Sequence, residues 1–238
     1  MLKRTFLCLA LLTAWAAPAF HLRAALADDP FARWEKEIGA FEAADAKAPP
    51  PQGAILFIGS SSIRLWKTLT QDFPHHRVIN RGFGGSQIVD STHFAERIVF
   101  PYAPRQIVMY AGANDIHAGK SPEQVAADFL AFVAAVHSRL PDVPIAFISI
   151  AGNPARWKEI DQVRAANRLI QAVCAADPKL TYIDTATAML GPDGLPRPDI
   201  FVQDRLHMNA EGYKLWTRDL APYLTPEPPA AAAGGGRN

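Results

Sequence analysis

From Ala54 to Ile183 the chain repeats one pattern, a short run of β-branched and aliphatic residues followed by a longer stretch with apolar residues spaced for a helix. The runs Ala54–Ile58, Val78–Asn80, Gln106–Tyr110, Ile145–Ile150 and Leu180–Ile183 have the length and composition of strands. The segments Ser62–Leu69, Ile88–Val99, Pro122–Arg139 and Trp157–Ala176 carry helix-type spacing, and a final helix is expected from Asn209 towards Tyr223. Few architectures fit such an alternation. Consecutive parallel strands need a crossover, and each crossover helix covers a sheet face. The expectation is an α/β fold with a five-stranded parallel sheet between two helical layers.

The flanking segments set the boundaries. Between Asp28 and Ala48, Phe31, Trp34, Ile38 and Phe41 recur at spacings of three and four, the stripe of an amphipathic helix that should pack on the core. Pro49-Pro50-Pro51 stops it, because proline lacks an amide donor and restrains the residue before it. At the amino terminus Met-Leu-Lys-Arg precedes the apolar stretch Thr5–Ala17, and Ala25-Leu26-Ala27 stands just ahead of Asp28, the pattern of a secretory signal peptide. The apolar stretch falls short of the roughly 20 residues that span a bilayer, so no stable membrane insertion is expected after cleavage. Residues 1–27 are read as the signal, with Ala17-Pro18-Ala19 as the alternative cleavage point, residues 28–224 as one domain, and the Pro-, Ala- and Gly-rich residues 225–238 as a disordered tail. The expected location is secreted or periplasmic.

A chain of 238 residues, 49% hydrophobic, can bury one sizeable core but hardly two. Its formal net charge is +1, and no run of Lys or Arg is interleaved with aromatics, so nucleic acid is not expected as a partner. Cys8 falls within the expected signal, which leaves Cys174 as the one thiol of the mature chain, without a disulfide partner and expected in the core.

In an open parallel sheet the strand-to-helix loops converge beyond the carboxyl ends of the strands, and helix amino termini point free N–H groups there. The residues just beyond each strand therefore matter most. Gly59-Ser60-Ser61-Ser62 succeeds the first, Arg81-Gly82-Phe83-Gly84-Gly85-Ser86 the second and Ala111-Gly112-Ala113-Asn114-Asp115 the third. Asp204-Arg205-Leu206-His207 leads into the last helix, a spacing that lets the carboxylate reach the histidine Nδ1–H and leaves Nε2 free to accept a serine proton. Taken singly, the serine run reads as a helix cap, the glycine run as a turn, and the histidine as a structural one. His75, His76, His93, His117 and His137 lack such company and are read as structural or solvated.

In this order the four segments resemble the SGNH hydrolase family, the GDSL-like lipases and acylhydrolases, over about Ala54 to Tyr223. The resemblance implies a flavodoxin-like three-layer α/β/α sandwich. It also implies Ser61 as nucleophile, Gly85 and Asn114 as donors to an oxyanion, and Asp204 with His207 as the remaining triad members. Members usually carry Asp where this chain has Ser60, so Ser60 and Ser62 stand as rivals to Ser61.

The chemistry requires those residue types. A serine hydroxyl needs a base, supplied by His207, and Asp204 fixes the tautomer and stabilises the imidazolium. Preset donors, assigned to the N–H groups of Ser61 and Gly85 and the Asn114 side chain, stabilise the charge that grows on the carbonyl oxygen. The expected activity is hydrolysis of short-chain carboxylic esters through an acyl-enzyme, on a small-molecule or carbohydrate ester, with no cofactor and no metal. Deacetylation of polysaccharide or peptidoglycan is the alternative within the enzyme class, and a non-catalytic carbohydrate- or envelope-binding module is the alternative outside it. Trp66, Phe83, Arg156 and Trp157 are expected at the same rim, where they would line the substrate pocket.

Overall fold

The computed structural model describes residues 29–227, so the expected signal and most of the expected tail lie outside the described residues. The chain divides after Arg33. Of the first unit only 29–33 is described, where Asp29 accepts the amide of Ala32 at 3.2 Å. The second unit, from Trp34 onward, holds the sheet and its helices.

Five parallel strands form the sheet in the order β2-β1-β3-β4-β5: β1 Ile55–Gly59, β2 Val78–Gly82, β3 Gln106–Tyr110, β4 Ile145–Ile148 and β5 Leu180–Ile183. Helices lie on both faces, giving the expected α/β/α sandwich of flavodoxin-like order. Every residue of β1, β3 and β4 is buried, as strands covered on both faces must be. On one face Ile55, Phe57, Val108, Tyr110 and Ile148 meet the short helices α2 (Ser61–Arg64) and α3 (Leu69–Asp72) and the last helix α9 (Ala210–Leu220). The opposite face carries Leu56, Ile58, Met109 and Phe147, with Phe129 of α7 (Pro122–His137) set edge-on to Phe147 at 4.8 Å.

The first helix of this unit, α1 (Glu35–Lys47), carries Ile38 fully buried and Phe41 half-buried, the inward side of the predicted stripe. Arg81 of β2 fastens it, bonded to Asp45 at 2.6 Å and lying over the Phe41 ring. Helix α7 starts at Ser121, whose hydroxyl accepts the amide of Gln124 beside Pro122. Asn209 caps α9 by accepting the amides of Glu211 and Gly212.

Boundaries shift where side chains compete for backbone. The fourth strand stops at Ile148, two residues short of the expected Ile150, because the Asn167 carboxamide takes both the N–H and the C=O of Ile150. Asn167 lies on α8 (Ile160–Ala176), which starts three residues later than expected. Asn153 caps a 3₁₀ stretch over Pro154–Glu159 in front of it. The segment expected as one helix over 88–99 is broken at Phe94 into α4 (Ile88–His93) and α5 (Ala95–Ile98), and α6 (Ala113–His117) follows β3. Cys174 is buried, and burial pushes its thiol up to about 12. Contacts continue past the expected boundary at 224. Thr225 donates its amide to Gln106, and Glu227 pairs with Arg77 and Arg105, fastening the chain as far as 227.

Candidate active site

Because the strand order reverses between β1 and β3, the loops after those strands open a crevice at their carboxyl ends. Strand β1 ends on Gly59 with φ +129°, where a Cβ would fall 2.0 Å from the Tyr110 carbonyl oxygen, so only glycine lets β1 and β3 run this close. Ser60 is extended (φ −90°, ψ −161°) and turns the chain into α2, putting Ser61 in its first turn, where N–H groups have no intrahelical acceptor.

Ser61 Oγ lies 2.9 Å from His207 Nε2, although 146 residues separate them. His207 Nδ1 lies 2.7 Å from Asp204 Oδ2. The other carboxylate oxygen, Oδ1, accepts the backbone N–H groups of Leu206 and His207, each at 2.9 Å. Those bonds need a tight turn, which Arg205 makes in the left-handed region (φ +59°) and Val202 closes by accepting its amide. The His207 N–H and then its ring hold the Asp204 carboxyl down at about 2, so the carboxylate keeps its charge and the imidazole one orientation.

Cross-bonds lock the second and third loops to the first. Tyr110 and Gly59 carbonyls accept the amides of Ser60 and Phe83, each at 3.0 Å. Ser86, fully buried, donates its hydroxyl towards the carbonyls of Gly59 and Phe83. Asn114 Nδ2 in turn donates to the Ser86 carbonyl at 3.0 Å. Gly85 is exposed between these anchors with φ +78°. Its need for glycine is conformational, since the nearest atom to an added Cβ, on Trp34, would be 3.5 Å away. Asp115, 0% exposed, ties the loops from below by accepting the Ile88 amide at 3.3 Å and the Lys120 ammonium at 2.9 Å. Burial pushes its carboxyl up against the downward pull of Lys120.

The signature of the GDSL-like lipase/acylhydrolase family matches residues 50–215, a span that contains every one of these loops. The chain belongs to that family. It is accordingly a serine-type esterase or acylhydrolase. Among curated proteins none matches the sequence. Similar solved structures include one from Streptococcus pneumonia (17% identity, 85% of this chain and 98% of that one, TM-score 0.71). A GDSL-like lipase from Bacteroides thetaiotaomicron is similar at 17% identity, covering 82% of this chain and 96% of that one, with a TM-score of 0.64. A variant of an acetyl-xylooligosaccharide esterase from Geobacillus Stearmophilus is similar at 16% identity, covering 72% and 94%, with a TM-score of 0.57. Identities this low establish a shared fold.

Within this GDSL-like fold the four expected rim residues part company. Trp66 is 1% exposed, packed among Phe57, Phe73, Tyr213 and Trp216 with its indole N–H on Asp72, and Phe83 is 0% exposed between Trp34 and Phe94. Both rings are packed inward, although Trp66 also borders a cavity of about 320 Å³ with Phe41, Arg64 and Asn80. Their rings are large apolar surfaces next to the sheet, and the core took them. Trp157 is half-buried against Gly152 with Arg164 over its ring. Arg156 does reach the site, through Asn114. Its Nη1 donates to Asn114 Oδ1 at 3.0 Å and towards the Ala113 carbonyl at 3.4 Å.

Sequence reasoning missed Ser86, Asp115 and Asn153, which hold the loops rather than the substrate. Asn153-Pro154 was the readable signal, an Asx cap with proline at the next position. A cavity of about 10 Å³ lies next to Ser62, bounded by Tyr110, Ala151, Asn153, Leu206 and Met208. A cavity of about 240 Å³ lies along α8, and neither lining includes Ser61, Asp204 or His207. Among the described residues no helix is long and apolar enough to cross a membrane, and no group of three His, Cys, Asp or Glu is placed to hold a metal.

Proposed function

We propose that this hydrolase cleaves short-chain carboxylic esters with Ser61 as nucleophile, His207 as general acid–base and Asp204 as the residue that orients it. The observation that carries the reading is the unbroken line of short contacts from Ser61 Oγ to His207 Nε2 (2.9 Å) and from His207 Nδ1 to Asp204 Oδ2 (2.7 Å). As Ser61 Oγ bonds to the acyl carbon, its proton passes to Nε2 and the imidazolium is balanced by Asp204. The carbonyl π electrons move onto oxygen, where the N–H groups of Ser61 and Gly85 and the Asn114 amide are the donors. Collapse of that intermediate expels the alcohol, which takes the proton from His207. Water then enters with His207 as base and releases the acid.

The short-acyl preference is supported by the helices and strands taking up most of the described residues, which leaves little chain for a large lid over the serine. The likeness to an acetyl-xylooligosaccharide esterase favours acetyl groups on carbohydrate as the second reading. A binding module has no use for a serine hydrogen-bonded to a carboxylate-backed histidine. The pattern of residues 1–27 supports export to the periplasm or the medium, which amino-terminal sequencing of the mature chain checks.

The test is nitrophenol release from acetyl, butyryl and longer nitrophenyl esters by wild type and Ser61→Ala, with fluorophosphonate labelling read by mass spectrometry. Acetyl and butyryl esters should turn over fastest and the adduct should sit on Ser61. Equal rates for the two proteins, or an adduct on Ser60 or Ser62, overturn the assignment. Acetate release from acetylated xylan distinguishes the carbohydrate reading.

A further inference from the structure

We infer that Arg156 is a positioning residue of the oxyanion site, acting through Asn114 rather than on the substrate. This rests on the esterase reading above and extends it to a residue outside the triad and its donors.

A carboxamide presents two ends of nearly equal size, one acceptor and one donor, and its orientation is set by its partners. The Asn114 oxygen receives Arg156 Nη1 at 3.0 Å, and its nitrogen donates one N–H to the Ser86 carbonyl at 3.0 Å. Reversing the amide would set its NH2 against a guanidinium and its oxygen against a carbonyl, so both contacts select the orientation that keeps a second N–H for an oxyanion. A cation on the oxygen also draws charge from the nitrogen and strengthens that N–H as a donor.

Arg156 is itself held. Its backbone N–H is taken by the Asn153 side chain at 3.0 Å, and its φ of −123° breaks the helical stretch around it. The neighbouring Ala155 amide donates to the Arg205 carbonyl at 3.1 Å, within the turn that carries Asp204 and His207. One short segment, 153–156, therefore ties the histidine turn to the Asn114 carboxamide, and no reading of the individual motifs connects them.

The experiment measures kcat and KM on nitrophenyl acetate for wild type, Arg156→Ala, Arg156→Lys, Asn114→Ala and the Arg156→Ala/Asn114→Ala double variant. Loss of an oxyanion donor costs roughly 10²–10³-fold in kcat. Arg156→Ala should lower kcat by about tenfold or more without exceeding that range, with KM within about twofold. Lysine, which restores a cation but not the planar fork, should recover part of the loss. The double variant should be no slower than Asn114→Ala alone, because Arg156 has nothing left to orient. Multiplying losses, or a rise in KM with kcat unchanged, would overturn the inference and make Arg156 a substrate contact. Should Arg156→Ala unfold, the Arg156→Lys arm decides: full kcat with raised KM refutes the inference, and lowered kcat at constant KM supports it. Failure of wild type to turn over the ester or to be labelled at Ser61 is a separate result, which refutes the esterase reading itself.

Discussion

Replacing Asp204 with Asn tests the histidine's tautomer directly, because the surrounding bonds dictate how the new amide must sit. In the native turn Oδ1 accepts two backbone N–H groups, from Leu206 and His207, both at 2.9 Å. An Asn amide that turned its NH2 towards them would set donor against donor and lose both bonds, at about 0.5–1.5 kcal/mol each. The oxygen therefore stays on the backbone and the NH2 faces His207 Nδ1, where the native chain has an acceptor at 2.7 Å. Nδ1 must then accept, the ring proton moves to Nε2, and the atom 2.9 Å from Ser61 Oγ can no longer take its proton. A wrong tautomer of this kind costs about 10⁴ in kcat, near 5.5 kcal/mol at 1.36 kcal/mol per decade. Steady-state turnover of nitrophenyl acetate gives the rate and ¹⁵N NMR of the imidazole gives the tautomer. Folding should hardly change, since the Asp204 side chain is 48% exposed. A variant within tenfold of wild type, or one slowed with the proton still on Nδ1, would refute the reasoning.

Asn114→Ala should lower kcat by roughly 10²–10³-fold with little change in KM, read by the same assay. Asp204 has its carboxyl lowered from 3.8 to about 2, so its contribution to stability is complete above about pH 4 and fades as pH falls through 2. Circular dichroism from pH 5 to 1.5 should show wild type losing, towards the acid end, a small advantage over Asp204→Asn. Trp66→Ala should cost about 3–5 kcal/mol in urea unfolding, because it empties a fully buried site. Glu227→Ala, which removes a partly exposed pair with Arg77 and a largely buried one with Arg105, should cost about 1.5–3 kcal/mol and leave turnover unchanged.

Much of the fold was legible because parallel strands buried on both faces are nearly continuous apolar runs. Ile55–Ile58 and Gln106–Tyr110 read as strands without any knowledge of their neighbours. Boundaries were legible only where the backbone's partner was local. Asn167 ends β4 from 17 residues away, and such a bond has no sequence signature at Ile150. The site divided in the same way. Ser61, Gly85 and Asn114 follow closely on the first three strands, and Asp204 and His207 precede the last helix, in an order the sequence shows. For Trp66 and Phe83 position along the chain left the direction open, because a bulky ring beside a strand end can turn to the solvent rim or into the core, and only packing sets them inward.

By itself, then, the sequence determined what depends on composition and period: the alternation of strand and helix, the order 59–61, 82–86, 112–115 and 204–207 of reactive segments, and the need for glycine at the tight turns. Only the tertiary structure decided distance and direction. The contact across 146 residues between Ser61 and His207, the inward turn of Trp66, and the grip of Arg156 on the Asn114 carboxamide arise when the parallel sheet brings separate loops to one end. Local propensities act over a few residues, whereas hydrogen-bond geometry at a site is set to tenths of an ångström by packing among segments that the chain keeps far apart.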